Sequence, residues 1–203
     1  MHLSEGVLHS QTLIAGAVFA VIGLSIGIRK MDYQKLPLTA LFASAFFVAG
    51  TIHVPVGISS VHLILNGMAG LFLGWAVFPA FCIALLLQVI LFSFGGFTVL
   101  GVNLCVMALP AVLIHYMFRR ILQEHSSVLT KVLVGASAGF LGVGLAALFA
   151  SLVLAFDGGS RYQDLILLLI LSHLPIFIVD SVISAIVIVI LGKMYPSLLN
   201  LRT

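Results

Sequence analysis

Long apolar runs broken by very few charges constrain this chain more than any motif does. Hydrophobic residues make up 62 %, charged residues 7 %, and mean hydropathy is +1.30, where a soluble domain carries roughly 25 % charged residues. Such a chain folds in a bilayer, as an all-α, polytopic membrane protein. Its 203 residues hold about six or seven spans of about 20 residues each. That leaves no room for an aqueous domain, so any energy source must lie on another chain. Cys82 and Cys105 sit inside apolar runs and read as small core residues, not as a disulfide or metal pair.

Taken in order, spans are expected at about 13–28, 36–52, 60–75, 78–94, 102–118, 132–156 and 173–191. The first and sixth carry small residues at near four-residue spacing (Gly23 and Gly27; Gly135, Ala138, Gly142 and Ala146), which permits close helix approach. These faces are candidates for docking a partner and for internal packing alike. The third and fourth spans, joined by a very short connection, should run antiparallel. Gly95-Gly96 breaks the pattern between spans four and five, and Pro110 marks a kink in the fifth. The apolar run 164–191 is too long for one simple span, and Pro175 is expected to divide it, leaving 164–172 near the interface. Seven spans result, within a possible six to eight. The organisation is a single membrane domain over 1–203: an N-terminal segment at 1–12, a bundle over about 13–191 and a tail at 192–203.

Charge placement fixes an expected orientation. Lys and Arg accumulate on cytoplasmic loops. With the N-terminus outside and the C-terminus inside, Arg29, Lys30, Lys35, Arg119, Arg120, Lys131, Lys193 and Arg202 all fall inside, and of the nine basic residues only Arg161 falls outside. This also accounts for the formal net charge of +3. There is no basic tract with interleaved aromatics, so nucleic acid is not a partner.

The same orientation sorts the histidines. His2, His9, His53, His62 and His173 fall at the external face, and His115 and His125 at the internal one. Imidazoles gathered in so apolar a protein mark a pathway or a site, although a histidine at a span's end can also simply meet the headgroups. His62 lies beside Ser59, Ser60 and Asn66. If the third span is helical from about Ser60, His62 and Asn66 share a face at i and i+4, about 6 Å apart along the axis. Asn103 follows the Gly-rich break and belongs near the same place. Gln88 and Asp180 read as groups that tie helices together, and Asp180 needs a partner or a proton if it lies in hydrocarbon.

The start, Met1-His2-Leu3-Ser4-Glu5, has no Lys or Arg and so does not resemble the basic region of a cleaved signal peptide. A free Met1 amine, the amide nitrogen of His2 and its Nδ1 can close a five-membered and a six-membered chelate ring on one ion. Such nitrogens suit Ni, Cu, Co or Zn, and a tetragonal all-nitrogen set favours Ni(II) or Cu(II). On its own this is a weak motif, since any chain beginning Met-His has it.

Met1-His2-Leu3-Ser4-Glu5-Gly6-Val7-Leu8, then Ile52-His53-Val54-Pro55 leading to Ser59-Ser60-Val61-His62-Leu63, then Phe94-Gly95-Gly96-Phe97 through Val102-Asn103, together resemble the ordered motifs of the CbiM/NikM family. His173-Leu174-Pro175-Ile176 is similar to the start of that family's last helix. The resemblance implies the substrate-specific membrane component of an energy-coupling factor transporter in a bacterial or archaeal plasma membrane. It would import Co(II) or Ni(II) with a transmembrane coupling component, ABC ATPase subunits and a small auxiliary membrane subunit. It implies a metal site at the external mouth made by the Met1 amine, the His2 amide and ring, and one further histidine. His62 is the first candidate for that place and His53 the second, with Asn66 and Asn103 as supporting groups. Two other classes stay open at this point: a component of the same transporter type for a vitamin, which has no use for Met-His, and a membrane metalloenzyme. The enzyme lacks support, because the only glutamates are Glu5 and Glu124 and no His-Glu-x-x-His helix occurs. No Gly-rich phosphate loop ending in Lys-Ser or Lys-Thr is present either, so ATP would be hydrolysed elsewhere.

Overall fold

The computed structural model describes residues 2–56 and 59–201, with backbone alone for 53–56, 59 and 60. Met1 and Arg202 therefore lie outside the described residues. The chain runs β1 (His2–Leu3), α1 (Ser10–Arg29), α2 (Leu36–Thr51), β2 (His53–Val56), β3 (Ser59–His62), α3 (Asn66–Leu73), α4 (Val77–Phe92), α5 (Leu100–Phe118), α6 (Val128–Gly158) and α7 (Gln163–Met194). Helices dominate, because only intrasegment hydrogen bonding satisfies a backbone in hydrocarbon. Four helical stretches among the described residues are long and apolar enough to cross a membrane: Ser10–Arg29, Asn66–Phe92, Leu100–Phe118 and Val128–Met194. Large apolar side chains such as Ile14, Phe19, Phe156 and Ile178 point outward, as expected where lipid is the solvent.

Two expectations change. The third span is not a helix from residue 60. Residues 59–62 form a strand, 63–65 are irregular, and the helix begins only at Asn66. At eight residues α3 is about 12 Å long, and α2, at 16 residues, is also shorter than a full span. His62 and Asn66 therefore do not share a helical face. The second change is in α7, which continues through Pro175 as one helix of 32 residues. Proline removes a single backbone donor, and a neighbouring helix can hold the chain straight across that gap; α6 packs along α7 more extensively than any other pair of elements.

The expected reversal after the third span is present. Gly74, at φ +53°, turns the chain, and α4 comes back to place Gln88 against His2. The two helices nonetheless pack on different neighbours, α3 chiefly against α5 and α6, and α4 chiefly against α2 and α5. The small-residue faces are internal. A Cβ on Gly23 would enter the Phe78 ring, and one on Gly27 would meet Trp75 and Pro79; on α6, Gly135 and Gly139 lie against the α7 backbone and Gly142 against Gly67.

The elements place two polar regions at opposite ends of the bundle. At one end, β1 pairs with β3 and β3 with β2 in a three-stranded antiparallel sheet of order β1-β3-β2, with His2 opposite Ser60 and His53 opposite His62. At the other, Lys30, Lys35, His115 and Arg119 surround a cavity of about 320 Å³ that also touches Leu201. The basic end and the histidine-rich end are thus separate, as the charge pattern requires.

The α3–α5 contact gives a direct test of this packing. A Cβ on Gly70 would stand 2.1 Å from the Ala111 carbonyl oxygen, whereas one on Gly144 would meet only the Phe177 ring at 3.0 Å. Gly70→Leu is expected to destabilise by about 3 kcal/mol or more, and Gly144→Ala by no more than about 1 kcal/mol. Thermal unfolding of the detergent-solubilised variants, followed by helical circular dichroism, measures the difference.

Candidate metal centre

The N-terminal segment is extended, so its peptide groups must find partners outside itself. The bundle supplies them. Asn103, buried on the first turn of α5, accepts from the Leu3 N–H at 2.9 Å and donates to the Leu3 carbonyl at 3.0 Å. Glu5 donates its N–H to the Gly95 carbonyl at 3.0 Å, and its carboxylate accepts from the Thr98 N–H at 3.0 Å. Gly95, at φ +74°, is required here twice, since it turns left-handed and a Cβ would come within 2.9 Å of the Asn103 amide. Further along, Tyr162 donates to the Val7 carbonyl. Asp157, at the end of α6, accepts from the His9 N–H at 3.0 Å, from Thr12 and from the His9 ring.

Held this way, His2 enters the bundle and is 3 % exposed; His62, at the end of β3, is 2 % exposed. Their rings meet with centroids 4.8 Å apart at 37°, and His2 Nδ1 lies 3.0 Å from His62 Nε2. The other nitrogen of each ring faces an oxygen. His2 Nε2 lies 2.9 Å from Gln88 Oε1, and Gln88 is itself oriented by donating to the Phe47 carbonyl. His62 Nδ1 lies 2.7 Å from the Leu63 carbonyl.

Proton counting on this arrangement is informative. An amide or peptide oxygen only accepts, so both outward nitrogens carry the hydrogen. The two inner nitrogens therefore converge on each other within hydrogen-bond distance. A proton between them would require an imidazolium, but burial above all holds His62 well below the usual histidine range. What suits two converging nitrogens is a cation. Metal–nitrogen bonds of about 2.0–2.1 Å at a right angle put the nitrogens about 2.9 Å apart.

The remaining predicted residues divide. Asn103 supports the segment that carries His2. Asn66 does not reach the pair of rings; it donates to the Met107 and Gly142 carbonyls between helices. The His53 backbone is the cross-strand neighbour of His62; its side chain and the whole of Met1 are outside the described residues. His173 lies fully buried in α7, not at the surface. His115 is at the opposite end, against the Leu71 carbonyl. Among the described residues no three His, Cys, Asp or Glu side chains form a metal cluster. Sequence reasoning gave Gln88 and Asp157 no part in the site. A lone glutamine in an apolar helix and an aspartate at a helix end carry no local sign of their partners, which are 86 and 148 residues away.

Residues 2–198 match the family model described as the cobalt uptake substrate-specific transmembrane region. The chain is 67 % identical over 98 % of its length to a putative metal transport protein of Haemophilus influenzae, covering 97 % of that protein. It is 30 % identical to a putative fused nickel transport protein of Archaeoglobus fulgidus, over 98 % of this chain and 68 % of that one. It is 31 % identical to a cobalt transport protein of Clostridioides difficile, over 92 % and 80 %. The crystal structure of a truncated transition metal transporter superposes with a TM-score of 0.78 at 25 % identity, covering 95 % of this chain and 99 % of that one. A match spanning nearly the whole sequence, with the same helical architecture, makes this chain a multi-pass membrane transport protein of the CbiM cobalt/nickel family.

Proposed function

We propose that this chain is the metal-binding, substrate-specific subunit of an energy-coupling factor importer for Co(II) or Ni(II), and that it captures the ion at the external face. The observation that carries the reading is the pair of buried imidazoles, their outer nitrogens committed to Gln88 and Leu63 and their inner nitrogens 3.0 Å apart. Two ligands do not complete a site. The Met1 amine and the His2 amide nitrogen are adjacent to the His2 ring through the chain itself, and with His62 they make a four-nitrogen set of the kind that suits Ni(II) or Co(II). The ion is substrate, carried and released.

Energy comes from other chains in this proposal: a transmembrane coupling component, ABC ATPases and a small auxiliary membrane subunit. Fusion supports the existence of partners, since relatives in Archaeoglobus fulgidus and Methanocorpusculum labreanum are named as fused transport proteins. The sequence has no phosphate-binding loop of its own. The basic end, with Lys30, Lys35 and Arg119, is assigned to the cytoplasm by the positive-inside rule.

Elemental analysis of purified protein decides the ligand set. His2→Ala and His62→Ala are expected to lower tightly bound metal at least ten-fold. Full retention in His62→Ala would transfer its place to His53 or His173. An N-terminal extension that converts the amine to an amide should abolish binding without altering helical content, and unchanged binding would refute the chelate. Gln88→Leu removes the acceptor that fixes the His2 tautomer and should cost about 10–100-fold in affinity, measured by calorimetric titration.

A further inference from the structure

Beneath the two histidines lies a second group of buried polar atoms that the capture site does not use. His173, Asp180 and Ser184 follow one buried face of α7, and α7 packs against β3, the strand that carries His62. The His173 ring gives its Nδ1 hydrogen to the Leu169 carbonyl at 2.7 Å, which leaves Nε2 as a lone pair. Asp180 uses only Oδ2, which accepts from the Ile64 and Leu65 N–H groups at 3.2 Å each. Asn66, the first residue of α3, commits both amide hydrogens to carbonyls, at 3.2 and 3.0 Å. His173 Nε2, Asp180 Oδ1 and Asn66 Oδ1 have no hydrogen-bond partner, and these residues are 0 %, 1 % and 0 % exposed.

All three atoms are electron-pair donors, and the Ser184 hydroxyl on the same face of α7 is likewise without a partner. Asp180 Oδ1 and Asn66 Oδ1 are buried acceptors on neighbouring elements, and a bound cation would offset the cost of their desolvation. Asp180 and Asn66 are brought together by the short segment 64–66, on which Asp180 caps the start of α3. Close approach depends on α6 glycines: a Cβ on Gly142 would stand 2.7 Å from Asn66 Oδ1, and one on Gly139 would stand 2.4 Å from the Asp180 carbonyl. His173 precedes Asp180 by two turns, about 10 Å along the axis, too far to share an ion with it. It lies nearer the start of α7, the helix that packs against the strand of His62.

We propose that Asp180 and Asn66 form a second, interior cation-binding station, with the unpartnered Nε2 of His173 on the same face of α7 as a further donor toward the histidine-rich end. This rests on the transport reading above and gives the ion a place to go after capture. The carboxylate and amide oxygens with a nearby imidazole take a divalent transition-metal ion, and the oxygen-rich set should hold it more weakly than the all-nitrogen site.

Calorimetric titration of the full chain in detergent with Co(II), with retained metal counted after gel filtration, separates the two. Wild type is expected to take a second equivalent at least ten-fold weaker than the first. His62→Ala should lose the first and keep the second. Asp180→Asn, which still accepts from Ile64 and Leu65, should keep the first and lose the second. A single equivalent in wild type, or a second one untouched by Asp180→Asn, overturns the interior station while leaving the capture site standing. No equivalent at all in wild type overturns both. If Asp180→Asn loses helical circular dichroism, Asp180→Glu decides: a helical variant that retains the weak equivalent supports the station, and one that lacks it refutes the station.

Discussion

The protein depends on finding hydrogen-bond partners for backbone that is not helical inside a helical membrane bundle. Residues 2–5, 59–65 and 94–99 all run outside the helices at the histidine-rich end. Each peptide group left unsatisfied in a buried, water-poor place costs about 1–3 kcal/mol. Side chains from the helices supply the missing partners: Asn103 binds both faces of the Leu3 peptide unit, Asp180 receives the Ile64 and Leu65 N–H groups, and Glu5 answers Thr98. The rest are supplied by strand pairing between β1 and β3. These few polar residues are therefore scaffold as well as site.

The scaffold then dictates the chemistry. Gln88 and the Leu63 carbonyl take the outer hydrogens of His2 and His62, and the inner nitrogens face each other at 3.0 Å. The partners that position a metal-binding histidine also set which nitrogen is free to bind. Asp157 and Tyr162 anchor the following residues, His9 and Val7, and so fix where α1 begins relative to α6 and α7.

Much of this was legible in the sequence. Hydropathy gave the membrane and the helices, and the polar exceptions, His2, His62, Asn103, Gln88 and Asp180, are the residues around which the histidine-rich end is built. What failed had a common cause. Span three was expected to be helical from residue 60 because Val61-His62-Leu63-Ile64 is apolar, but short apolar runs do not distinguish strand from helix, and pairing with β1 and β2 decided for the strand. Pro175 was expected to divide the run 164–191 because that run is too long for one simple span; packed along α6, the helix continues through it and tolerates the missing bond.

By itself the sequence determined the solvent, the helical class and the sorting of basic residues from most of the histidines, because these follow from transfer energies that each residue brings regardless of its neighbours. Only the tertiary structure decided that His2 meets His62, that Gln88 sets the tautomer of His2, and that Asp180 and Asn66 close on one segment beneath them. Those contacts join residues 60, 86 and 115 or more positions apart, and no local propensity encodes them. Hydrogen-bond accounting inside the folded bundle does.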